Sequence, residues 1–129
     1  MSEIPLHAFF IHFPIALFVL ETFLLLLVWI QKRSEYFQFA KLVFLLAWIA
    51  LIPTVVSGVV WAGGIQAAWK GMTHNHFLSA LITFIIQSTR WVAWRKFPQG
   101  FYWLHLVLSG IGTGLILLTG HLGATLVYG

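Results

Sequence analysis

Four long apolar runs take up nearly all of this chain, from about Leu6 to Ile30, Phe39 to Ala62, His74 to Trp94 and Phe101 to Thr119. Each is long enough to cross the ~30 Å hydrocarbon layer as a helix, which takes about 20 residues. Backbone polar groups in that layer must satisfy one another within the segment, so a run of this length spans as an α-helix. Short connections join antiparallel neighbours. The expected fold is an all-α membrane protein, a single domain over residues 1–129 whose four transmembrane helices form an up-down-up-down bundle. With 60% of the 129 residues hydrophobic, 8% charged and a mean hydropathy of +0.94, the chain has no length left for a soluble domain.

The charges fix an expected orientation. Six of the seven basic residues (Lys32, Arg33, Lys41, Arg90, Arg95 and Lys96) lie in or beside the first and third connections, and only Lys70 lies in the second. Positive residues mark cytoplasmic loops, so both termini are expected on the extracytoplasmic side. Charges gathered at the ends of apolar runs account for the net +4 as topology, and no nucleic-acid partner is expected. Trp29, Tyr36, Trp91, Trp94, Tyr102 and Trp103 mark the basic end and Trp61, Trp69 and Tyr128 the other, as two interfacial belts. The first run lacks a basic leader and a small-residue cleavage site, and it reads as a retained span.

Pro14 is expected to bend the first helix or to start its regular part just after His12. Pro53 is followed by Thr54 and Ser57, whose hydroxyls suit carbonyls freed by a kink. Gly63 to Thr73 forms the longest connection, and Phe97, Pro98 and Gln99 make a tight turn. Gly120, His121 and Gly123 are expected to loosen the end of the fourth helix.

The chemistry rests on histidine. There is no cysteine, which excludes disulfides, thiolate metal sites, iron–sulfur ligation and covalent haem attachment. His7, His12, His74, His76 and His121 all approach the extracytoplasmic end, on three helices, and intramembrane ionisable groups mark functional sites. His105, near Trp103 at the other end, reads as interfacial, and His74, where the second connection enters the third helix, as solvated. A b-type haem takes two imidazoles from facing helices, small residues near the macrocycle and apolar walls. Gly110, Gly112, Gly114 and Gly120, with Ser57, Gly58, Ala62 and Gly63, permit this, although such residues also serve helix packing. A copper or zinc site of three or four imidazoles is the competing chemistry. Only Glu3, Glu21 and Glu35 are acidic, so no carboxylate pair exists for hydrolysis.

Glu21 falls near the bilayer middle, where an ionised carboxylate costs on the order of 3 kcal/mol. It is expected to be neutral or paired, clamping the first and third helices with Gln87, at nearly the same depth, as donor. A proton acceptor coupled to redox chemistry is the functional alternative.

The segment Leu6-His7-Ala8-Phe9-Phe10-Ile11-His12-Phe13-Pro14-Ile15-Ala16-Leu17 resembles the opening motif, L-H-P-x-x-V-H-F-P-I-A-L, of the bacterial membrane family known as domain of unknown function 2231. Gly120-His121-Leu122-Gly123-Ala124-Thr125-Leu126-Val127-Tyr128 is similar to its close, H-x-G-G-x-L-V-Y. Gly58-Val59-Val60-Trp61 and His76-Phe77-Leu78-Ser79 resemble its middle elements, with Ala8, Val60 and Ala124 departing from the pattern. The resemblance implies a bacterial cytoplasmic-membrane location and a layer of four histidines, His7, His12, His76 and His121, and it favours redox work by association with respiratory and iron–sulfur proteins.

The expected function is therefore a b-type cytochrome carrying electrons near the extracytoplasmic face, more carrier than enzyme. One or two bis-histidine haems would be held by those four residues, with His12 paired to His76 and His7 to His121 if two are bound, and Glu21, Gln87 and His74 as supporting residues. The alternatives are a copper or zinc protein on the same histidines and a non-catalytic assembly subunit of a respiratory complex. The expected partners are the lipid bilayer, a redox protein or quinol, and further subunits or copies of the chain.

Overall fold

Helices dominate, as a bilayer solvent requires, and the structure, a computed structural model, describes residues 6–70, 74–97 and 101–128, with the side chains of 10–70, 74–97 and 101–125. The elements are α1 (Leu6–Gln31), α2 (Ser34–Ala62), α3 (Ile65–Lys70), α4 (His74–Lys96) and α5 (Tyr102–Tyr128). Of these α1, α2, α4 and α5 are long and apolar enough to cross a membrane. Helix α2 begins earlier than the hydropathy suggested, because the turn from α1 takes only Lys32, at φ 55°, and the extended Arg33. Gly63, at φ 96°, ends α2 in a left-handed conformation that other residues adopt only with strain, and its N–H returns to the Val60 carbonyl. The second connection then holds the short helix α3. Pro98, Gln99 and Gly100 of the expected tight turn, and Gly71 to Thr73 of the second connection, lie outside the described residues.

Two expectations about helix ends are corrected. Regular helix in α1 runs from Leu6 through Pro14. Proline has no N–H for the Phe10 carbonyl, and the Thr54 hydroxyl of α2 donates to that carbonyl at 3.2 Å. The same hydroxyl lies 2.9 Å from the Ala50 carbonyl, and Ser57 donates to Thr54 at 2.9 Å, so the hydroxyls beside Pro53 do bond carbonyls. Helix α5 likewise continues past Gly120 and Gly123, which serve as packing positions: a Cβ would meet Ile15 at 3.1 Å from the first and His76 at 2.9 Å from the second.

Helix α1 packs side by side with α2 and with α5, and α5 packs on α4; α2 and α4 meet more lightly, through Trp48, whose indole donates to Ser88 at 3.0 Å. Helices α1 and α4 therefore face each other across the bundle. Phe18, Leu25, Phe37, Phe44, Trp94 and Ile116 fill the centre, while Ile30, Ile49, Ile85 and Leu118 face outward as lipid contact demands. Between helices lipid supplies no hydrophobic drive, so close approach and hydrogen bonds carry the association. Thr22 shows this, meeting Ser109 at 2.6 Å and Thr113 at 2.8 Å across the α1/α5 seam. Trp29 and Trp103 are exposed at one end, and Trp61 and Trp69 at the other, as belt residues should be. Trp94 departs from its belt and is buried, and the Tyr128 side chain lies outside the described residues.

Neighbouring glycines of α5 give a test of this packing. A Cβ on Gly112 would lie 2.6 Å from the Gln87 amide, whereas one on Gly114 would have nothing within 4 Å. Gly112→Ala is expected to destabilise the fold by about 1–3 kcal/mol. Gly114→Ala should be neutral or stabilising by up to about 1 kcal/mol, both read from detergent-induced unfolding in mixed micelles.

Candidate functional site

One face of α4 is polar along most of its length. Thr83, Gln87, Arg90 and Trp94 recur at helical spacing and are all buried. Arg90 reaches across the bundle: Nη2 donates to Glu21 Oε2 on α1, and Nη1 donates to Gln87 Oε1 at 2.7 Å. Its guanidinium lies 4.6 Å from the centre of the Phe44 ring, and Ser109 of α5 donates to Glu21 Oε1 at 3.3 Å. The two side chains are 2% and 0% exposed.

This corrects the reading of Arg90 as a charge of the third connection. It is a buried cation, and Lys32, Arg33, Lys41, Arg95 and Lys96 are left to flank the two basic connections. The α1–α4 clamp at Glu21 exists, but Arg90 is the donor; Gln87 turns its oxygen to Arg90, and its Nε2 has no partner among the described residues. His105 likewise faces into the bundle. It is 1% exposed, stacked 4.0 Å from Trp94, with Nε2 donating to the Phe97 carbonyl at 2.9 Å. That carbonyl lies just past the end of α4, where helical partners run out. The signal available in the sequence was the spacing of Thr83, Gln87, Arg90 and Trp94, which places Arg90 on the face that carries Gln87.

At the other end of α4, His76 is half-buried with Nδ1 3.0 Å from the Thr119 carbonyl of α5. A carbonyl only accepts, so Nδ1 carries a proton. Ser79 meets the Thr119 hydroxyl at 2.6 Å, pinning the two helices at this level. His76 lines an apolar cleft walled by Val55, Gly58, Trp61, Phe77, Ala80 and Phe84. The cleft has an interior volume of about 70 Å³.

The other expected site residues are distributed differently. His12 is exposed and shares the outward face of α1 with Val19 and Phe23. His121 is exposed on α5, on the face of Gly114 and Leu117. His74 lies with Nδ1 2.6 Å from the Trp69 carbonyl and its ring edge-on to that indole, tied to α3. Glu21 and Gln87 belong to the mid-bundle cluster; Gln87 is about 16 Å of helix rise from His76. His7 lies in α1 with its side chain outside the described residues. Among the described residues, no three histidine or acidic side chains gather to hold a metal ion.

The buried pair predicts a strongly non-additive mutant cycle. Arg90→Met alone strands a buried carboxylate and is expected to cost about 3–5 kcal/mol in micellar unfolding. Adding Glu21→Leu should recover most of that loss; a double variant as unstable as the sum of the two single ones would show the charges to be independent.

No curated protein and no solved structure matches the chain. Residues 3–129 match the family described as predicted membrane protein, domain of unknown function 2231, and the chain belongs to that family.

Proposed function

We propose that the chain is a small redox protein of the bacterial cytoplasmic membrane, a b-type cytochrome whose haem is held at the extracytoplasmic end by His76 and a second imidazole. The observation that carries this reading is His76 itself: among the described histidines at its end of the bundle it stands in the wall of an apolar cleft, with Nδ1 on a backbone carbonyl. Ligating imidazoles are oriented in this way, by a hydrogen bond at the nitrogen that does not bind the metal.

His7 is the second ligand in this reading, because it precedes Ile11 of the cleft wall by four positions in the sequence, about one helical turn. His12 and His121, on the outside, are left to contact propionates or a partner. Residues of α2 and α4, which meet only lightly, wall the cleft and would hold the haem. Bound there, it supplies one-electron transfer. The chain's residues supply dry apolar walls, an oriented imidazole, and a Glu21–Arg90 tie between the two helices that bear His7 and His76. The basic first and third connections support termini on the outer side, where a redox protein or quinol would exchange electrons.

Protein made with ample haem and purified in detergent is expected to show the reduced-minus-oxidised bands of a b haem. His76→Leu should abolish them and His74→Leu should leave them. A spectrum without haem bands would overturn the reading, and stoichiometric copper or zinc in such protein would put a metal ion in place of haem.

A further inference from the structure

Helix α5 meets the His76 imidazole at two points one helical turn apart. The Thr119 carbonyl lies 3.0 Å from Nδ1. At Gly123 a Cβ would stand 2.9 Å from Cε1, 3.3 Å from Nδ1 and 3.5 Å from Nε2, so the ring lies across the bare glycine backbone. Three ring atoms at such similar distances mean that the ring is laid against the helix, with no room for a side chain beneath it. The Thr119 side chain adds the level: its hydroxyl donates to the Leu115 carbonyl at 2.9 Å and receives Ser79, three residues beyond His76 on α4.

We infer that Thr119 and Gly123 form a cradle that positions His76, the carbonyl selecting the tautomer with its proton on Nδ1 and the missing Cβ setting the plane of the ring. Gly123 is then a positioning residue for whatever His76 binds. The assignment of iron rests on the function proposed above; the cradle does not.

Nitrogen-15 NMR of histidine-labelled, haem-free protein in lipid nanodiscs tests the cradle directly. Wild-type His76 is expected in one tautomer, protonated at Nδ1, and Gly123→Ala should bring up the tautomer protonated at Nε2. In haem titrations the same variant should bind roughly 10- to 100-fold more weakly, the usual effect of disturbing a group that orients a ligand. Gly120→Ala is the packing control, since its Cβ would press on Ile15 and not on His76; it should leave the tautomer unchanged. A mixed tautomer in the wild type, an unchanged one in Gly123→Ala, or an equal shift in Gly120→Ala would overturn the cradle. A single Nδ1-protonated ring in wild-type protein that takes up no haem would uphold the cradle and sink the haem reading alone.

Discussion

The ion pair between Glu21 and Arg90 is the constraint around which the bundle is organised. Two charges buried inside a bundle of membrane-spanning helices are tolerated only when they are paired and their remaining capacity is met, and here Gln87, Ser109 and the Phe44 ring surround them. Because α1 and α4 face each other across the bundle, the pair runs through its centre and not along a helix seam. An unpaired partner in any other arrangement of the four spans would be costly. This packing brings the two side chains together.

The contacts around it follow the same logic. Thr22, Ser109 and Thr113 tie α1 to α5 immediately outward of Glu21, and Ser79, Thr83 and Thr119 tie α4 to α5 further along. Thr54 meets the carbonyl that Pro14 leaves without a donor. Each hydroxyl sits where lipid offers no alternative partner, and together they make α5 the common backing of α1 and α4. His76 inherits its position from this chain of contacts, since the strip that pins α4 to α5 ends at its ring.

Depth was legible in the sequence and direction was not. The runs, the paired prolines and hydroxyls, the shared level of Glu21 and Gln87 and the gathering of histidines toward one end all follow from helical rise and hydropathy. Which way a side chain faces depends on the partner helix, and that is where the reading missed. His12 and His121 stand near the level of His76 yet face outward, Arg90 looked like a connection charge because it lies near the end of its run, and His105 looked interfacial for the same reason. Gly120 and Gly123 read as helix breakers because nothing in the local sequence shows that Ile15 and His76 rest on them. In a membrane helix glycine is a contact surface as often as a break, and only the partner tells the two apart.

In the proposed function His76 is the inward ligand, at the end of a polar strip anchored by Glu21 and Arg90. Electron paramagnetic resonance of ferric, haem-loaded protein with nitrogen-15 histidine tests this most directly. A low-spin signal coupled to two imidazole nitrogens, lost in His76→Leu and kept in both His12→Leu and His121→Leu, is the predicted result. A low-spin signal that survives His76→Leu and disappears with His12→Leu or His121→Leu would contradict it.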